Sequence, residues 1–218
     1  MKRLMNKAMD PISFETHFIG AIFSVLALIC MLIEGLYKHT SLPMMIATFI
    51  FGLSLILLYS ASSMYHFCHG SDQEPKKSFL RKLDHSMIFV LIVGTYTPVV
   101  TYCMQAPRSY IFLGILWSIA LLGVIQSIFW INAPRALTTL LYLALGWAVL
   151  FDFQSFASLP GLCLQVIAAG GIAYSIGAVI YIIKKPNISQ AFGFHELFHI
   201  FVMMGSLLHY IAIVVFLF

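Results

Sequence analysis

The closing stretch from Phe192 to Phe218, FGFHELFHIFVMMGSLLHYIAIVVFLF, contains a single charged residue, Glu196. A run this long and this apolar matches the ~20 residues that cross a bilayer as a helix. Backbone N–H and C=O groups find no partners in hydrocarbon, so the segment must satisfy them internally, which makes it helical. At its mouth stands Phe194-His195-Glu196-Leu197-Phe198-His199. Histidines four apart project from one helix face, a turn from each other, and both imidazoles can reach one metal ion. Read literally this is H-E-x-x-H, the zincin pattern in which the glutamate is the general base. Here the helix continues into a bilayer, so the histidines lie near one membrane surface.

The remainder of the chain has the same character. Its 218 residues are 61% hydrophobic and 9% charged, with mean hydropathy +0.96, whereas a soluble domain carries about 25% charged residues. The composition excludes a soluble protein and predicts one all-α membrane domain over residues 1–218. The net charge of +4 comes from Lys and Arg in loops, so it reports topology and implies no nucleic-acid partner. Cys30, Cys68, Cys103 and Cys163 show neither C-x-x-C spacing nor a disulfide rhythm, although Cys103 and Cys163 fall on one side and could pair. No small-residue cleavage site follows the first apolar run, which reads as a retained span.

Seven apolar segments can be marked: His17–Tyr37, Leu42–His66, Leu83–Tyr102, Tyr110–Ile131, a short Leu137–Phe151, Leu162–Ile183 and Phe194–Phe218, after a short N-terminal segment, 1–16. Stop signals divide them, among them Gly70 to Lys82, Asn132-Ala133-Pro134-Arg135 and Lys184-Lys185-Pro186-Asn187. With seven spans, Lys2, Arg3, Lys7, Lys76, Lys77, Arg81, Lys82, Arg135, Lys184 and Lys185 share one side, and Lys38 and Arg108 the other. The positive-inside rule then places the N-terminus and residues 1–16 in the cytoplasm and the C-terminus outside.

The same parity brings distant residues to one depth. The second span ends at His66, and the third and seventh start at Asp84 and at His195/His199, all near the cytoplasmic surface, with His17 beside them. His209 lies ten residues past His199, about 15 Å further along the helix, too far to share its metal. A catalytic zinc site takes three protein ligands and keeps a fourth position open; His66, His195 and His199 supply three. Asp84 reads either as a carboxylate complementing a helix N-terminus or as the group that orients a water and accepts its proton. Ser62, one turn before His66, would bind water or a substrate carbonyl, or bond back to its own helix. His39, His69 and His85 fall in loops or on faces turned away from the cluster. Gly170, Gly171 and Gly177 mark a close helix contact.

These stretches together resemble the hemolysin III family, the bacterial branch of the progestin and adipoQ receptor superfamily, which also holds the adiponectin receptors and is related to the alkaline ceramidases. The similarity rests on Thr16-His17-Phe18-Ile19-Gly20, Ser62-Ser63-Met64-Tyr65-His66, Leu83-Asp84-His85 through Gly94-Thr95-Tyr96-Thr97-Pro98, and Phe194 to His199, in that order over the whole chain. The resemblance implies a seven-helix fold in the plasma membrane with a cytoplasmic N-terminus. It also implies Zn2+ on His66, His195 and His199, with the family's metal-site aspartate at Asp84 and its serine at Ser62. The receptor branch commonly has Gln where this chain has Glu196, which shifts the proton acceptor to Asp84. The receptors' extended N-terminal domain has no counterpart here, so adipokine-type signalling is not expected. The leading functional reading is a zinc-dependent hydrolase of a membrane lipid amide or ester. Beside it stand a pore-forming haemolysin, a non-catalytic sensor of lipid state and, last, an intramembrane protease. Oligomeric state is not indicated.

Overall fold

A computed structural model describes residues 7–189 and 192–218; Lys2 and Arg3, counted above on the basic side, lie outside them. Among the described residues, seven helical segments are long and apolar enough to cross a membrane. They are α1 (Pro11–Tyr37), α2 (Leu42–Phe67), α3 (Pro75–Cys103), α4 (Arg108–Phe129), a fifth span that begins with α5 (Arg135–Gly146), α6 (Gly161–Ile183) and α7 (Phe194–Phe216).

Three boundaries differ from expectation, each for a local reason. α1 starts at Pro11 rather than His17, because proline's fixed φ and missing N–H suit the first helical turn. The segment 1–16 is therefore not all extramembrane coil: its last six residues are helical. α3 starts at Pro75, well before Leu83, so Lys76, Lys77, Arg81 and Lys82 lie on its first two turns instead of in a loop. Lys77 anchors this extension: its buried ammonium donates to the carbonyls of Tyr65 and Cys68, both at 2.6 Å, and lies 4.2 Å above the Tyr65 ring. Those are carbonyls the end of α2 leaves without helical partners. The fifth span breaks after Gly146 into a 3-10 turn, Ala148–Asp152, and one helical turn, Phe153–Phe156. Tyr96 repairs the break, donating to the Gly146 carbonyl (2.6 Å) and accepting the Val149 N–H (3.0 Å). Irregular backbone persists at membrane depth only when satisfied in this way.

Burial ranks the helices. Over half of the most apolar stretch of α3 and half of that of α2 is buried (56% and 50%), against 39% for α7 and 22% for the other four, so α2 and α3 form the middle of the bundle. Small residues set the close approaches, since between helices in lipid packing has to replace the hydrophobic effect. A Cβ on Gly20 would meet the Tyr59 ring at 2.9 Å, and one on Gly177 would meet Phe201 of α7 at 2.9 Å. Gly170 likewise faces α7, but Gly171 has nothing within 4 Å, so two of the three glycines make the predicted contact. Cys103 and Cys163 are both free thiols.

The start of α1, the end of α2, the start of α3 and the start of α7 meet at one end of the bundle. The Asp10 N–H donates to the His66 carbonyl (3.1 Å), the Ser13 hydroxyl donates to Glu196 Oε1 (2.8 Å), and Lys77 ties α3 to α2 as described.

Candidate metal centre

His66 ends α2, and His195 and His199 occupy the first two turns of α7. One ring nitrogen from each lies within 4.8 Å of the others, a group able to hold a metal ion. His66 Nε2 and His195 Nε2 are 3.2 Å apart. Tetrahedral zinc with Zn–N bonds of ~2.0–2.1 Å would separate two such nitrogens by ~3.3–3.4 Å, so the spacing suits a shared ion.

The partners of the remaining nitrogens fix which atoms point inward. His66 Nδ1 lies 3.0 Å from Asp10 Oδ2. A carboxylate only accepts, so Nδ1 carries the proton and Nε2 presents its lone pair. Thr16 repeats the arrangement for His199: its hydroxyl donates to the carbonyls of Ile12 and Ser13 (3.0 Å each), leaving Oγ1 to receive Nδ1–H at 3.4 Å. Metal-ligating histidines generally donate their second N–H in this way. The hydrogen bond from His66, aided by the charge of Lys77 and opposed by partial burial, holds the Asp10 carboxyl below its ordinary pKa. His17 stacks on His199 with ring centroids 3.6 Å apart and planes 11° from parallel. Among the described residues, neither of its buried nitrogens has a hydrogen-bond partner.

Both oxygens of Glu196 are engaged at the helix ends. Its Oε2 accepts the Gly193 N–H (2.8 Å), and its Oε1 accepts the Ser13 hydroxyl, so the carboxylate caps α7 and ties it to α1. Asp84 and Ser62 line the cavity below the histidines; among the described residues neither side chain forms a hydrogen bond. Among the described residues, the carboxylate bonded to a histidine of the trio is Asp10, which sequence reasoning passed over. Its signal was available: an aspartate directly before a helix-starting proline, at the end of the bundle where His66 arrives. His85 lines the same cavity without joining the trio, and His209 lies at its deep end.

The cavity has a volume of about 760 Å³. It runs from the histidines along Leu91, Thr95, Val202 and Phe156 to Leu164. At the gap left by the break in the fifth span, Trp147, Leu150 and Phe153 both line the cavity and are exposed. On the α6 side of that gap Gln165 and Ala168 do the same.

Residues 6–210 match the family model described as "Haemolysin-III related". The chain is 33% identical to Hemolysin-3 of Bacillus cereus over 199 residues, covering 91% of this chain and 87% of that protein. It is 35% identical to the Hemolysin-3 homolog of Bacillus subtilis (strain 168) over 192 residues, covering 88% and 86%. Similarity extends to Heptahelical transmembrane protein 1 of Arabidopsis thaliana, 27% identical over 95% of this chain and 69% of that one. Seven apolar helices and a family match spanning nearly the whole sequence make this chain a multi-pass membrane protein of the hemolysin III family, within the progestin and adipoQ receptor superfamily.

Proposed function

We propose that the chain is an intramembrane hydrolase that uses zinc, held by His66, His195 and His199, to cleave an amide or ester bond in a membrane lipid. One observation carries the reading: three converging imidazoles, two with their second nitrogens tied by α1, stand at the head of a largely apolar cavity of about 760 Å³. Zinc in such a site supplies Lewis acidity and a water that ionises near neutral pH. The protein's own groups do the remaining work. Asp84, lining the cavity with no salt-bridge partner among the described residues, takes the proton from the attacking water and passes it to the leaving nitrogen or oxygen. Ser62, one turn from His66, donates its hydroxyl to the scissile carbonyl oxygen. The apolar walls hold the acyl chain and exclude bulk water, and the gap beside the exposed Trp147 and Leu150 gives that chain access from the bilayer. The basic residues around the histidine end orient it to the cytoplasm and the C-terminus outside, in the plasma membrane.

A second reading, a cytolytic pore, is favoured by the name of the Bacillus cereus relative. One preparation tests both. Purified protein should hydrolyse a lipid amide or ester, and activity should vanish with a zinc chelator and in Asp84→Asn, which keeps its zinc. Chelator-resistant leakage from liposomes without hydrolysis would establish the pore instead. Stoichiometric zinc with neither activity would leave a lipid sensor.

A further inference from the structure

His209 sits in the same cavity as the metal centre, ten residues further along α7 and about 15 Å deeper at ~1.5 Å per residue. Its side chain is 7% exposed. Nδ1 lies 2.8 Å from the Gly205 carbonyl oxygen, which only accepts, so Nδ1 carries the proton and Nε2 is a lone-pair acceptor. Among the described residues no group donates to Nε2.

The ring is held on two sides. It stacks on Tyr174, centroids 5.5 Å apart and planes 20° from parallel. Its Nδ1–Cε1 edge lies against Gly170, where a Cβ would overlap it, so the Nε2 edge is the one turned to the cavity. Tyr174 is seated over Gly205, again where a Cβ would collide, and its hydroxyl is tied to Ser206, which also receives the Tyr59 hydroxyl (2.8 and 2.7 Å). Two glycines thus make room for a clamped imidazole whose free acceptor faces an apolar space. An acceptor left unpaired there is destabilising, and polar groups at membrane depth are functional by default.

We propose that His209 is a second binding station of the cavity, accepting a hydrogen bond from a hydroxyl on the chain of a single-chain amphiphile whose head lies at the histidine cluster. An extended chain advances ~1.2 Å per bond, which places that hydroxyl about 12 bonds from the head. The ligand class is a mid-chain hydroxylated fatty acyl compound. This placement of the head rests on the proposed hydrolase reading, but the test needs no turnover.

Binding of 12-hydroxystearate, 2-hydroxystearate and stearate to the full-length protein in nanodiscs is the experiment. Wild type should prefer 12-hydroxystearate over stearate by about fivefold, the worth of one net hydrogen bond, and show no gain for 2-hydroxystearate. His209→Phe keeps an aromatic ring on Tyr174 and should bind stearate as wild type does while losing the preference. Nitrogen NMR of labelled histidine gives a second readout in the unmutated protein: the Nε2 resonance of His209 should move with 12-hydroxystearate and stay with stearate. Equal binding of all three probes would assign the acceptor to water and overturn the proposal. So would a gain shared by both hydroxy acids, or a preference that survives in His209→Phe. The preference without hydrolysis of any lipid would sink the enzyme reading alone; hydrolysis without the preference would sink this one alone.

Discussion

Removing the carboxylate of Asp10 should weaken metal binding without unfolding the protein. Asp10 holds His66 through a 3.0 Å hydrogen bond to Nδ1, with the His66 side chain 4% exposed and that of Asp10 45% exposed. Outer partners of ligating histidines contribute about 10–100-fold to metal affinity. Because water can partly replace a half-exposed carboxylate, Asp10→Ala should fall at the low end, about tenfold weaker, near 1.4 kcal/mol. Asp10→Asn keeps a neutral acceptor for the same N–H and should lose about threefold, since a neutral hydrogen bond is roughly half as strong as a charge-assisted one. The metal-free protein should hardly notice either change, because a half-exposed pair contributes at most ~1 kcal/mol to stability. Competition against a chromophoric zinc chelator in detergent measures the affinity, and thermal unfolding of chelator-stripped protein measures the stability. Wild-type zinc affinity in Asp10→Ala would refute the orienting role. An affinity loss matched by an equal loss of stability in the stripped protein would refute it too, by showing that the α1–α2 joint had given way.

The other expectations are more direct. His66→Ala, His195→Ala and His199→Ala should each remove most of the bound zinc, and His209→Ala should remove none, by metal analysis of purified protein. Glu196→Gln should retain turnover within about threefold, because the glutamine amide oxygen can still accept the Gly193 N–H; a hundredfold loss would support the zincin role. Gly123→Ala drives a methyl group into the Phe89 ring and should cost about 1–3 kcal/mol in unfolding assays, whereas Gly114→Ala, with nothing within 4 Å, should stay within ~0.5 kcal/mol. Reporter fusions should place Ser71 in the cytoplasm and Phe218 outside; the reverse would overturn the charge-based orientation.

Hydropathy made the spans legible, because ~20 apolar residues in a row have one physical solution in lipid. It was blind to helix that leaves the bilayer. The polar first turns of α3 carry no apolar period, and only Pro75 after Glu74 hinted that they were helical. The break after Gly146 was hidden for the opposite reason: the residues around it are apolar whether helical or not, and the tyrosine that satisfies the broken backbone, Tyr96, comes from another helix. At the candidate metal centre, span parity sufficed to bring His66 to His195 and His199, since the end of α2 and the start of α7 lie at the same end of the bundle. What holds those rings depends on rotation about the helix axes and on one residue outside them. Asp10, Thr16 and the stacked His17 all come from the start of α1, and no spacing rule links that segment to α7 across 183 positions.

That division of labour gives α1 a definite place in the molecule. It offers no ligand to the metal group, and only 22% of its most apolar stretch is buried. Yet it reaches both ligand helices, through Asp10 to His66 on α2 and through Thr16, His17 and Ser13 to His199 and Glu196 on α7. A third helix that supplies only acceptors and a stacking surface fixes the direction of the His66 and His199 rings without occupying a coordination position. An ion that binds this joint, and not the unfolded chain, stabilises it by about 4 kcal/mol at a thousandfold excess over its dissociation constant. The histidine trio and the seating of α1 are therefore coupled through the same few contacts, and a substitution in the first turns of α1 acts on the site as directly as one beside the histidines.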